Sequence, residues 1–202
     1  MSGGGPPAEI SAEAVRTLRE TTGAGLMDCK KALLEAGGDA DRAVDLLRRW
    51  GRASADRKQG RATKEGRVGC YIHHDGKKGV LVEVACETDF VARSERFARF
   101  LKDVSLHIAA ARPRYANREE VPPELLAKER DLHRDAVAGK PSDVAERVLD
   151  GKMKKFFAET VLLDQPFVKD EAKTIGEILA EAIAALGENV VVRRFAHFEI
   201  GR

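Results

Sequence analysis

The side chains best placed to do chemistry lie in CETDFVARSE, residues 86–95, which follows the apolar run Val80-Leu81-Val82-Glu83-Val84-Ala85. Cys86 beside Glu87 has the residue types of an activated thiol. It also continues the apolar alternation of the preceding strand, and a buried core side chain is the better reading. Asp89-Phe90 offers two readings. In one, Thr88 or Asp89 caps a coming helix and Phe90 folds back against it as a staple, which the local pattern favours. In the other, Phe90 is an exposed wedge worth roughly 1.5–3 kcal/mol when buried in a partner's pocket, and Asp89 competes for hydrogen bonds around a bound ion.

The remaining candidates are weaker. His73-His74 sits beside Asp75 at a hairpin end, with no further ligand at metal spacing. His107, His133 and His197 stand singly and read as surface or satisfied, partly buried residues. Cys29, Cys70 and Cys86 are odd in number and too far apart for paired CxxC ligands, so all three read as reduced and mostly buried. Gly23-Ala24-Gly25 lacks the GK[ST] of a phosphate loop and reads as a helix break. Arg57, Lys58, Arg61, Lys64 and Arg67 have the charge to meet phosphates. No aromatic platform is interleaved with them, and a solvated face is the better reading. No catalytic set, metal site or cofactor is expected.

The elements that must position these residues follow from periodicity. The chain has 202 residues, with 35 basic and 33 acidic side chains for a net charge of +2. That balance does not announce nucleic acid or an anionic membrane as the main partner. No apolar stretch approaches the roughly 18–20 residues of a membrane span, and MSGGGPP lacks the pattern of a secretion signal, so a cytoplasmic setting is expected. Residues 1–8 read as a disordered leader. Residues 9–52 read as a three-helix domain: Ser11 caps a first helix carrying Val15 and Leu18, Cys29 and Leu33 mark a second, and Asp39 caps a third with Ala43, Leu46 and Leu47. A unit of that size needs tight packing of small residues.

Residues 53–67 read as a basic linker, and residues 68–202 as an α+β core. Val68–His73 and Lys78–Cys86 form a hairpin around Asp75-Gly76, whose glycine supplies a positive φ. Phe97, Leu101, Val104 and Ile108 share one face of a helix starting after Ser94. Pro122-Pro123 opens a helix to about residue 138, and Ser142 is expected to cap another that carries Val144, Val148 and Met153. Thr174 and Glu177 have the spacing of a capping box. Residues 189–200 form the last strand of a three-stranded antiparallel sheet packed with helices. Such a sheet has open edges and apolar residues on both faces of that last strand, which points to self-association.

Two separated motifs then resemble the elongation factor Ts family. The first runs Thr22-Gly23-Ala24-Gly25-Leu26-Met27-Asp28-Cys29-Lys30-Lys31-Ala32-Leu33, preceded by Leu18-Arg19 and followed by Gly38-Asp39. The second is Thr88-Asp89-Phe90-Val91-Ala92-Arg93. The likeness continues through 118–122, 162–168 and Gly187-Glu188-Asn189 with Arg193-Arg194-Phe195, and so spans about residues 9–200. The resemblance implies a guanine-nucleotide exchange factor for elongation factor Tu, acting by protein–protein binding and not as an enzyme. It implies a UBA-like amino-terminal domain that grips the GTPase through Leu26 and Met27. Leu26 stands where methionine is associated with the family, a volume-conserving change. Thr88, Asp89, Phe90 and Val91 are implied as the segment that dislocates the GTPase's magnesium, with both GDP-bound and nucleotide-free elongation factor Tu as partner states. The chain resembles the short form with one core copy, expected to pair through its sheets into a homodimer within a two-plus-two complex, with Cys70 and Cys86 near that interface. No membrane and no direct nucleic-acid contact is expected. A nucleic-acid-associated helical module is the rival reading, and an enzyme with a Cys86 nucleophile a weaker third.

Overall fold

The computed structural model describes residues 10–134, 137 and 139–201. The expected leader 1–8 lies outside the described residues, as does part of the expected end of the helix opened by Pro122-Pro123.

Three helices come first. Helix α1 (Ala12–Thr22) starts where the Ser11 hydroxyl accepts from the Ala14 amide at 3.1 Å, and stops at left-handed Gly23. Helix α2 (Leu26–Glu35) follows, and α3 (Ala40–Lys58) is capped by the Asp39 carboxylate, which accepts from the Arg42 amide at 3.0 Å. Their shared core is built from Val15, Leu18, Cys29, Ala32, Leu33, Ala36, Ala43 and Leu46. Four of these eight are alanine or cysteine with no more than one γ atom, which lets short helices approach closely. Helix α3 continues through Lys58, into the segment expected as linker. Tertiary contacts explain the continuation: Ala55 packs on the main core, and the Lys58 ammonium donates to the Ile183 carbonyl at 3.2 Å.

The sheet has the order β1-β2-β5, antiparallel throughout, with β1 (Glu65–Ile72), β2 (Lys78–Cys86) and β5 (Val190–Glu199). Cys70 lies opposite Leu81, and Leu81 opposite Ala196. A register shift between Glu83 and Val84 bulges the β2–β5 ladder. The inward side chains Val80, Val82, Val84 and Cys86 pack on Phe97, Leu101, Val104 and Ile108 of α5 (Glu95–Ala111). Gly69 makes this contact possible, because a Cβ there would sit 2.6 Å from Leu101 Cγ. The outward face of the sheet leaves Val68, Cys70, Ile72, Leu81, Ala196 and Phe198 exposed, with Ile200 just past its end. Cys70 therefore departs from the expectation of burial, since β1 turns Gly69 to the core and its neighbour outward. Cys86 is fully buried on the opposite side, away from that outer face.

Helices α6 (Pro123–Leu132) and α7 (Ser142–Thr160) share a separate small cluster of Val121, Met153, Phe156 and Val161. Ser142 is the first residue of α7 and not its cap, because Pro141 takes the position before it. A short hairpin, β3 (Pro166–Phe167) and β4 (Asp170–Thr174), leads into α8 (Ile175–Leu186), whose capping box from Thr174 and Glu177 is complete in both directions. His107 lies fully buried on α5, within hydrogen-bonding distance of Gln165 Oε1 at 2.9 Å through Nε2. Its Nδ1 accepts from the Val168 amide at 3.4 Å, which assigns the ring proton to Nε2. Burial pushes the imidazole below its ordinary pKa, against the opposing pull of the Gln165 hydrogen bond. Complete burial at a hairpin joint is more than the surface or partly buried role expected of it.

The amino-terminal helices dock on the core where α3 crosses α8. Arg52 of α3 forms an ion pair with Glu177 of α8.

Candidate functional site

The stretch after β2 makes one helical turn, α4 (Asp89–Ala92). Thr88 is its cap: the hydroxyl oxygen accepts from the Val91 amide at 3.3 Å. The same hydroxyl donates to Glu188 Oε1 at 2.6 Å. Glu188 lies just beyond α8, after the left-handed Gly187 (φ 79°), and its Oε2 accepts from the backbone amides of Glu87 at 3.1 Å and Thr88 at 3.0 Å. In return, Glu87 Oε1 accepts from the Asn189 amide at 2.6 Å and faces Arg61 at 3.5 Å. The Asn189 side-chain amide donates to the Arg61 carbonyl at 3.0 Å, and the Cys86 thiol donates to the Thr88 carbonyl at 3.2 Å. The turn that follows β2 and the turn that precedes β5 are therefore cross-braced by two carboxylates.

Above this brace Phe90 is 82% exposed. The staple favoured by local pattern does not form, and Phe90 projects from the first turn of α4. Asp89 is exposed beside it and pairs with Arg93 at 3.2 Å. Val91 is only 6% exposed and belongs to the core cluster with Ala92. Of the four residues expected at this site, Thr88, Asp89 and Phe90 lie on the surface together. Val91 faces inward and holds the turn down.

Leu26 and Met27 occupy the first turn of α2, both exposed, Met27 at 72%. The preceding Gly25 supplies no side-chain cap. Seven residues on from Met27, on the same helical face, Leu34 is exposed as well and extends the strip. That spacing was readable in the sequence. The bracing by Glu87 and Glu188 was not, since its partners are about a hundred positions apart.

The rival chemistries find little here. Burial, and secondarily the charge of Glu188, pushes the Cys86 thiol above its ordinary pKa, which disfavours the nucleophilic thiolate. His73 and His74 lie against each other, with His73 Nδ1 within 3.0 Å of the Tyr71 hydroxyl. Among the described residues, no group of three or more His, Cys, Asp or Glu could hold a metal ion. Lys58 and Arg61 of the basic run are engaged by the Ile183 carbonyl and the Glu87 carboxylate.

Comparison with known proteins agrees with the motif reading. A family model described as Elongation factor TS matches residues 52–202. The Elongation factor Ts of Geotalea uraniireducens (strain Rf4) is 55% identical over 194 residues, covering 95% of this chain and 90% of the relative. That of Geobacter sp. (strain M21) is 56% identical with the same coverage. That of Caldanaerobacter subterraneus subsp. tengcongensis is 52% identical, covering 95% of this chain and 97% of the relative.

Proposed function

The chain belongs to the elongation factor Ts family, cytoplasmic nucleotide-exchange factors for elongation factor Tu in translation elongation, and from that membership we propose that Asp89-Phe90 is the element that acts on the GTPase's magnesium site. One observation carries the reading: a large aromatic stands exposed on a single helical turn whose backbone is hydrogen-bonded from below. A large aromatic held rigidly in solvent is the kind of side chain that anchors in a partner's pocket.

Tight GDP binding in a GTPase rests on backbone donors around the phosphates and on a magnesium ion that neutralises their charge. The factor needs no covalent step. Phe90 wedges between elements of the GTPase, and Asp89, released from Arg93, competes for groups that hold the ion. Thr88 caps the turn and Val91 roots it. Leu26 and Met27 grip the nucleotide-binding domain, so that the helical unit ending near Lys58 anchors and the α+β core acts. By linkage, GDP must weaken the factor's hold on the GTPase by the factor by which the exchange factor weakens GDP. Stopped-flow release of labelled GDP from elongation factor Tu tests the assignment: Asp89→Ala and Phe90→Ala slow release, and unchanged exchange in both would sink it.

The outward sheet face supports a second element of the reading. Val68, Ile72, Leu81 and Phe198 form an apolar surface continuous across the three strands, and a second copy of this chain covers it, giving a two-plus-two complex. Light scattering of the isolated chain checks this, with a monomer at every concentration as the refuting result.

A further inference from the structure

We infer that Glu188 is a positioning residue for nucleotide exchange, holding the Asp89-Phe90 tip at its working angle through Thr88; this rests on the tip reading above. The carboxylate touches neither Asp89 nor Phe90. It collects three donors, the Glu87 and Thr88 amides and the Thr88 hydroxyl, at 3.1, 3.0 and 2.6 Å. The hydroxyl passes the constraint on, because its oxygen also accepts the Val91 amide inside α4. A hydroxyl that donates to a carboxylate while accepting from a helix amide has both its roles fixed, and with them its rotamer.

The position of Glu188 argues that this brace serves the tip and not the sheet. Pairing of β2 with β5 is already complete as far as Cys86 opposite Val190. The Glu188 contacts begin beyond that last pair, on the two residues that lead into Phe90. Four residues of helix have too few internal hydrogen bonds to hold an aromatic wedge against a partner's resistance. Gly187 in its left-handed conformation, followed by Asn189 bonded to Glu87, fixes the carboxylate from the other side. A wedge that pushes into a folded partner works only in a narrow range of orientations, and a displacement of about 1 Å can cost orders of magnitude in rate.

The test is stopped-flow release of labelled GDP from elongation factor Tu, with the concentration of the full-length factor varied to separate saturating rate from half-saturating concentration. Glu188→Ala is expected to lower the saturating rate about tenfold and to shift the half-saturating concentration less than twofold. Glu188→Gln keeps one carbonyl acceptor and should fall between the two; it carries the same test if the alanine variant folds poorly. In an Asp89→Ala/Phe90→Ala background, Glu188→Ala should slow release no further. The inference is overturned if Glu188→Ala exchanges within twofold of the parent while Phe90→Ala is slow, or if Glu188→Ala costs the same factor with and without the Asp89-Phe90 pair. Asp89→Ala and Phe90→Ala variants that both exchange at the parental rate overturn the tip reading itself, which keeps the two failures distinct. Amide hydrogen exchange in the free factor gives a readout apart from activity: Glu87 and Thr88 should lose protection in Glu188→Ala while Val82 and Val84 keep theirs.

Discussion

The helix entrances at α2 and α4 both display large apolar side chains to solvent, and they are built in opposite ways. Leu26 and Met27 open a ten-residue helix whose buried side, Cys29, Ala32 and Leu33, is packed into the three-helix core, while its cap position is a glycine with no side-chain bond. Asp89 and Phe90 open a four-residue turn that has its own side-chain cap, the Thr88 hydroxyl, and the Glu188 carboxylate beneath that cap. Packing holds the first display and directed hydrogen bonds hold the second. Apolar burial is non-directional and favours grip, whereas hydrogen bonds fix angles and suit an element that must push in one direction. On the proposed reading the difference maps onto a division of labour: affinity at α2, rate at α4.

Phe90→Ala should have the largest effect. Loss of roughly 1.5–3 kcal/mol of aromatic burial at the transition to the nucleotide-free complex corresponds to about 10- to 100-fold in saturating exchange rate. Met27→Ala should raise the half-saturating concentration about tenfold, with the saturating rate moving much less. A Met27→Ala variant whose saturating rate falls as far as that of Phe90→Ala would break the division of labour.

Acidification sharpens the comparison on the core side. The His107 imidazole is held neutral by burial, with its folded pKa below the ordinary 6.5. The unfolded chain therefore binds the proton first, so the stability due to neutral His107 is complete above about pH 6.5 and declines as pH falls from there toward the folded value. The loss is at most about 1.4 kcal/mol per pH unit for one proton. Thermal unfolding between pH 7.5 and 5.5 should show a falling midpoint, and His107→Gln should flatten that slope. The smallest effect belongs to Arg52→Ala. Arg52 is more than half exposed and its pair with Glu177 is worth about 0.5 kcal/mol or less. Burial alone would raise the Glu177 carboxyl, but the Thr174 backbone bond and Arg52 outweigh it and hold the group below its ordinary 4.5. Its contribution is therefore present above pH 4.5 and lost as pH falls through the lower folded value. A salt titration of the Arg52→Ala melting curve, set against the parent, checks how little that pair supplies at neutral pH.

Much of this architecture was legible from local pattern. Asp75-Gly76 announced the first hairpin, and the Asp75 carboxylate does accept from the Lys77 amide at 2.9 Å inside that turn. The capping box at Thr174 and Glu177 and the apolar stripe from Phe97 to Ile108 were readable because each is complete within a few turns of chain. What escaped reading depends on distant partners. Residues 53–58 looked like linker because their charges hide the small face that docks on α8. The β3–β4 hairpin was missed because its strands are two and five residues long and the second is mostly polar. At the site, the motif located Asp89 and Phe90, but neither the outward direction of Phe90 nor the inward one of Val91 follows from their types. The Thr88 cap of their turn is bonded to Glu188, which the chain delivers from the far end of the core.

Helix α8 touches both ends of this arrangement. Glu177, in its first turn, completes the capping box and pairs with Arg52 of the amino-terminal unit; Gly187, at its end, presents Glu188 to the tip. Its twelve residues make a rod of about 18 Å. The rod acts as a spacer gauge, fixing how far and at what rotation Glu188 and the turn it braces stand from the α3–α8 joint. One residue inserted near its middle would turn the far end by about 100° about the helix axis. Such a chain would carry Ile183 off the core and Glu188 away from Thr88.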